Sequence, residues 1–350
     1  MTVITALATA LPPLDYQGDF RRWARARVAG TRTAKLYDRM DARSGIAHRW
    51  SVLEPQDAAL NEGRGLYGND DAPPGTAARM QLYAKHAPEL ALQAIGKLAD
   101  TDGITHLVVA SCTGFVAPGI DQIVARRLGL AANVERVLIG FMGCYAAVTA
   151  LRTARHIVRS DPAARVLVVT VELSSLHHRA YDAIEPLMAV SQFGDGAAAA
   201  IVEAGGSGLS LDAGLSLALE QSEELIRWDI TDHGFEMNLS GEVPGRIAAA
   251  LAEPDIRAAI LRGDDVRDIK AWAVHAGGRS ILDAVERGLG LWPSALHASR
   301  AVLHDCGNMS SATLMFVLAR QIKSRPERGI ALAFGPGLAV EGLRFGWTDG

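Results

Sequence analysis

Apolar positions along this chain follow two alternating rhythms. Short runs dense in aliphatic and β-branched residues, ITHLVVAS at 104–111, RVLIGF at 136–141 and RVLVVTVEL at 165–173, end in polar or glycine-rich turns. Such unbroken runs predict strands buried on both faces, as in a parallel sheet. Between them the period lengthens. Residues 77–98 form a long Ala/Leu-rich pattern and 121–128 a shorter one, both predicted as helices. After position 144, Ala147, Leu151, Ala154 and Val158 recur at i, i+4, i+7 and i+11, while Arg152, Arg155 and Arg159 fall on another face. An amphipathic helix therefore opens at Cys144. The N-terminal MTVITALATALPPL reads as a first strand, Ala34–Arg43 as a helix within the basic stretch 21–41, and 69–75 (NDDAPPG) as a loop.

The same alternation returns later in the chain. FGDGAAAAIVE (193–203) turns through two glycines into a strand, and GGSG at 205–208 interrupts the apolar run, which places a boundary between units 1–205 and 206–350. The second unit begins with a strand at 209–219 and a mixed segment around Trp228 and Met237. A helix at 245–251, a strand at 269–274 and a helix at 280–289 follow. Further helices near Leu296 and after Ser310 lead to a strand at 330–334 with a GPG turn. Two βα-rich halves predict the α/β class, although pattern alone does not establish a repeat between them.

Composition narrows the class. A chain of 350 residues with 49% hydrophobic residues and 35 glycines suits a well-buried globular protein of two core-forming units. Its three cysteines, at 112, 144 and 306, are too few and too scattered for a disulfide framework or a zinc site. A reducing, cytoplasmic setting is expected. The net charge of −4 argues against nucleic acid as the main partner. The apolar N-terminus has no basic flank and is too short for a membrane span.

Three segments end strands with polar residues in glycine-rich turns, where backbone can approach a ligand. They are GFMGCY around Cys144, VHAGG around His275 and GNMSSA around Asn308. At a helix start, unpaired N–H groups and the positive dipole end favour a thiolate at Cys144. A small buried hydrophobe at a strand–helix junction explains that residue equally well. His275 is either a hydrogen-bonded core residue or a base, and Asn308 either a helix cap or an amide donor. Together they offer a nucleophile, a base and a donor. In the catalytic reading an imidazolium at His275 pairs with the thiolate and depresses the thiol pKa. Papain-like hydrolases share the order Cys, His, Asn, but their cysteine lies early in the mature chain within a CGSCW-like motif, unlike Cys144 at a mid-chain βα junction.

The quoted motifs, with FGDGAAA from Phe193 and FGPGLAVEG at 334–342, make the chain resemble the type III polyketide synthases over nearly its whole length. These chalcone-synthase-like enzymes are a branch of the thiolase-fold condensing enzymes. Ketoacyl-ACP synthase III shares the triad but differs around the asparagine and lacks the proline of the glycine turn; it stands as the alternative. An inactive acyl-CoA-binding scaffold is the third reading. The resemblance implies a thiolase-like fold of five αβαβα layers built from two similar halves, and a homodimer in which the Ala117–Pro118 loop reaches the partner's cavity. It implies a starter acyl-CoA loaded onto Cys144, and malonyl-CoA held and decarboxylated at His275 and Asn308. Claisen extension and cyclisation to a pyrone or phenol follow, with no metal or other cofactor. Phe193 matches one gatekeeper, and Met237 falls where a second Phe is usual, which implies a softer gate. Arg39 and Arg43 match CoA-phosphate contacts, while a third falls on Leu36 beside Lys35. Cys112, Ser174, Leu176, His177 and Trp228 match cavity-lining positions, and Gly277, Gly335, Pro336 and Gly337 match substrate-contacting turns. Cys112 resembles the extra cavity cysteine of bacterial tetrahydroxynaphthalene synthases, with a buried spectator as the other reading. Trp228 stands where plant members carry a small residue, and its bulk would shorten the product.

Overall fold

Nine strands share one continuous sheet in the computed structural model, which describes residues 1–58, 65–67, 74–181 and 183–350. From edge to edge their order is Ala271–Val274, Gly329–Gly335, Ala339–Thr348, Gly208–Ala218, Thr2–Ala10, Asp195–Ala204, Val166–Leu173, His106–Ser111 and Glu135–Gly140. The halves meet where Thr2–Ala10 pairs with Gly208–Ala218 over only three residue pairs. Outward from that seam each half repeats one plan: two antiparallel pairings, then a parallel one. This shared strand plan, not sequence identity, reveals that the halves are alike.

Alternation along the strands sorts side chains into three cores. Leu107, Val109, Leu167 and Val169 face the helices Gln17–Val28 and Thr76–Ile95. Their neighbours Val108, Ala110, Val166 and Val168 face the central helices Ala146–Ser160 and Ser311–Gln321. Those central helices also cover Ala273, Ala331 and Ala333 of the second half, whose opposite face (Trp272, Val274, Leu332) packs on Val243–Ala252 and Arg279–Leu289. The result is five layers, αβαβα. Helix Ser311–Gln321 is buried at Ser311, Thr313 and Leu314 through Leu318, as expected of a helix between two sheets.

Several expectations shift. The mixed segment around Trp228 is an antiparallel hairpin, Ile226–Thr231 with Gly234–Leu239, turning through Asp232 and His233 into Gly234 at φ +105°. Its strands are too short and too solvated for a clear period. Beyond the GPG turn the chain continues into the strand Ala339–Thr348, and residues before 34 form the helix Gln17–Val28; neither was expected. The loop expected at 69–75 lies outside the described residues up to position 73. Among the described residues, no helix is long and apolar enough to cross a membrane.

Candidate active site

Cys144 does not open the α-helix directly. It sits in the single 3-10 turn Gly143–Tyr145, and the helix Ala146–Ser160 follows. The turn is sharp because Phe141 and Gly143 take φ of +58° and +76°, values that cost a residue with a Cβ free energy. Packing also demands glycine. A Cβ at Gly143 would lie 2.4 Å from Pro336 Cδ, and one at Gly335 would lie 2.7 Å from the Tyr145 ring and 3.4 Å from the Cys144 nitrogen. The FGPG turn of the second half thus presses directly on the Cys144 turn of the first.

His275 follows the strand Ala271–Val274, and its N–H extends the parallel ladder to the Leu332 carbonyl at 2.8 Å. The residue is 1% exposed, and neither ring nitrogen has a hydrogen-bond partner among the described residues. Asn308 precedes the central helix Ser311–Gln321 in a turn with Gly307 at φ +68° and Ser310 at φ +48°. Its Oδ1 accepts the Ser310 N–H at 2.8 Å, and its Nδ2 donates to the Gly277 carbonyl at 3.2 Å. This network assigns the amide orientation. The Asn308 oxygen steadies the turn before the helix, but the N-cap position expected of it falls on Ser310. Phe193 is tied to it by a parallel bridge, with Asn308 N–H to Gln192 O at 2.8 Å and Gly194 N–H to Asn308 O at 2.9 Å.

Cys144, His275 and Asn308 open onto one largely apolar cavity of about 360 Å³. Phe193, Met237, Cys112, Ser174 and Trp228 line it, as do Gly277, Gly335 and Pro336. Leu176, His177 and Gly337 do not. Leu176 is fully buried in the outer core. His177 is a strut behind the wall: its Nε2 lies 2.7 Å from the Thr113 carbonyl, its Nδ1 accepts the Phe235 N–H at 3.0 Å, and its ring stacks on Phe235 at 4.2 Å. Gly337 lies past Pro336 at φ +74°, with its carbonyl turned to the Ser222 hydroxyl. Arg39 and Arg43 are exposed on the helix Ala34–Arg43, whose Met40 does line the cavity; neither has an ion-pair partner among the described residues. Sequence reasoning missed Thr113, Gln192 and Ser310 in the lining, although the last belongs to GNMSSA.

Trp228 is fixed in place. Its Nε1 donates to the Cys112 carbonyl at 2.9 Å, and its ring meets His177 and Phe235 edge to face. Trp228→Gly is expected to lengthen products by at least one two-carbon unit or to admit bulkier starters, at a stability cost of about 3 kcal/mol. Product mass spectrometry checks this, and an unchanged profile removes Trp228 as a length stop.

Burial dominates the electrostatics. It pushes the Cys144 thiol up to about 12, against hydrogen bonding with Ser310 and Asn308, and it takes His275 down to about 3. Both shifts run against the expected preformed imidazolium–thiolate pair, since each disfavours the charged form. Burial, with no carboxylate or carbonyl partner among the described residues, disfavours the charged imidazole, and one 3-10 turn adds little field to offset that. Glu172, buried under the Cys112 N–H (2.9 Å) and Thr113 hydroxyl (2.9 Å), is raised by burial to about 7.

These shifts predict acid sensitivity. His177 and His275, both near 3, and His178, lowered well below its ordinary value by burial, bind fewer protons folded than unfolded once pH falls below 6.5. Their contribution to stability is present above 6.5 and is lost as pH falls, by about 1 kcal/mol per pH unit for each group. Glu172 (about 7) and Asp195 (about 6) act in the opposite sense, but only down to their unfolded values of 4.5 and 3.8. The thermal midpoint should therefore decline gently from pH 6.5 to 4.5 and steeply below. A midpoint that stays flat to pH 4 contradicts this.

Comparison with known proteins identifies the family. Residues 6–206 match the family model for the N-terminal domain of chalcone and stilbene synthases, and residues 211–346 match the model for their C-terminal domain. The alpha-pyrone synthesis polyketide synthase-like Pks18 of Mycobacterium tuberculosis is 33% identical, over 99% of this chain and 91% of its own. Bisdemethoxycurcumin synthase of Oryza sativa subsp. japonica is 34% identical over 77% of this chain and 73% of its own. Among solved structures, PKS-I of the brown alga Ectocarpus siliculosus superposes with a TM-score of 0.87 at 29% identity, covering 99% of this chain and 98% of that one. The type III polyketide synthase domain of Dictyostelium Steely1 also gives 0.87, at 27% identity and 99% coverage of both. These relatives decide against the ketoacyl-ACP synthase III alternative. With both family models matched across a continuous five-layered fold, the chain belongs to the chalcone and stilbene synthases, the type III polyketide synthases.

Proposed function

We propose that Cys144 carries the growing acyl chain while His275 and Asn308 activate malonyl-CoA, with no metal or further cofactor taking part. The observation that carries this reading is the opening of all three side chains onto one apolar cavity of about 360 Å³. The Cys144 proton passes to neutral His275, and the thiolate attacks the starter thioester carbonyl. Its C–S bond to CoA breaks, and CoA leaves with that proton. Malonyl-CoA then places its thioester oxygen at the His275 and Asn308 N–H donors. The carboxylate C–C bond breaks, CO₂ departs, and the electron pair becomes an enolate held by those donors. The enolate carbon attacks the acyl–Cys144 carbonyl, forming a C–C bond and releasing the thiolate. An apolar lining favours this step, because a localised carboxylate is exchanged for neutral CO₂ and a delocalised enolate.

Arg39 and Arg43 would meet CoA phosphates beside the mouth at Met40. A second copy of the chain completes the assembly in this reading. The edge strand Glu135–Gly140 is paired on one side only and exposes Val137 and Leu138 at 40% and 44%, close in sequence to Phe141, whose ring touches the exposed Phe115 near the Ala117–Pro118 turn. An unpaired apolar edge of this kind calls for a partner. A cytoplasmic setting, where acyl-CoA thioesters are available, accompanies this function. The test is release of CO₂ and CoA from malonyl-CoA with a panel of acyl-CoA starters, followed by mass spectrometry for pyrones and phenols. Absence of CoA release across the panel overturns it.

A further inference from the structure

Gln192 is held as firmly as the residues assigned to chemistry. The Arg49 guanidinium, fully buried over the Tyr16 and Phe20 rings, donates to the carbonyls on either side of it, Val190 at 3.0 Å and Phe193 at 2.8 Å. The Tyr16 hydroxyl donates to the Phe193 carbonyl as well, at 2.7 Å. Gln192's own carbonyl accepts the Asn308 N–H at 2.8 Å. Its amide end lies against the second half, since a Cβ at Gly278 would fall 2.3 Å from Oε1. The side chain lines the cavity, yet its carboxamide has no hydrogen-bond partner among the described residues. An unpaired amide carried on a firmly held backbone into an apolar cavity is paired by what enters that cavity.

The malonyl extender brings a group that needs such a donor. Among the described residues no Lys or Arg lines the cavity, and the one charged lining residue is the acidic Glu185. With His275 and Asn308 engaged on the thioester oxygen, we propose that the Gln192 carboxamide donates to the free carboxylate of the malonyl group, making it a specificity-determining residue for the extender. This rests on the reaction proposed above. A neutral donor suits the step: it orients the carboxylate, while a cation would hold the ground-state charge and oppose loss of CO₂.

The test compares Gln192→Leu and Gln192→Glu with the unaltered full-length protein. Three quantities are read: the KM for malonyl-CoA, the rate of CO₂ release, and the rate of Cys144 acylation by starter acyl-CoA, followed by intact mass. Gln192→Leu is expected to raise the malonyl-CoA KM about tenfold, and Gln192→Glu, which sets like charge against the carboxylate, to lower kcat/KM about 100-fold. Acylation by the starter, which has no free carboxylate, keeps its rate in both. An unchanged malonyl-CoA KM in Gln192→Leu overturns the proposal, as does an equal loss for starter and extender, which would place the contact on the shared pantetheine arm. Failure of the underlying reaction looks different, because the unaltered protein would then neither acylate Cys144 nor release CO₂.

Discussion

Cys144→Ala is expected to lower product formation at least about 10⁴-fold with every starter, while CO₂ release from malonyl-CoA remains measurable. The two half-reactions use different atoms. Chain extension needs a sulfur to hold the acyl group, and no other thiol can replace it: Cys112 is 2% exposed, accepts the Gly143 N–H at 2.9 Å, and is raised well above the ordinary thiol range by burial and the nearby Glu172. Decarboxylation needs only donors at the thioester oxygen, and those come from the other half of the chain. Alanine leaves the Gly143–Tyr145 turn its glycine and its contact with Pro336, so the fold should persist. Intact mass after incubation with acyl-CoA, together with CO₂ counted from malonyl-CoA, reads both halves. Residual extension, or joint loss of CO₂ release in a folded variant, would break this assignment.

The second large effect separates two duties at His275. His275→Ala removes both proton acceptor and donor, and should cut decarboxylation about 10²- to 10³-fold and slow iodoacetamide labelling of Cys144 at pH 7 at least tenfold. His275→Gln keeps an N–H but accepts no proton. It should retain more decarboxylation than the alanine variant yet label just as slowly, because burial raises the thiol pKa and glutamine offers no base to take its proton. Equal labelling in all three proteins would mean that Cys144 loses its proton to another group. Equal decarboxylation in the two variants would mean that the donor at His275 contributes nothing to the enolate.

Much of this was legible before any fold was known. The runs at 104–111 and 165–173 became strands because an unbroken β-branched segment can bury both faces only inside a sheet, and the 3.6-residue period after Cys144 became the helix Ala146–Ser160. Less was legible where the signal was not local. The hairpin carrying Trp228 and Met237 is partly solvated and lacks a clean period. His177, read as a cavity residue, turned out to brace that hairpin from behind. Gln192 carried no signal at all, since a glutamine beside a glycine-rich turn usually faces solvent; its fixed place depends on Arg49, 143 residues away in the chain.

The sequence by itself determined most strands and helices, the glycine turns, and the placing of Cys144, His275 and Asn308 in them, because each depends on a residue and its near neighbours. Tertiary structure alone decided that the three meet at one cavity, that Pro336 shapes the Cys144 turn, and that burial disfavours the charged forms of the thiol and the imidazole. The physical reason is desolvation. Periodicity reports which face of an element is buried, but how dry a particular atom becomes is set by what the other half of the chain places over it.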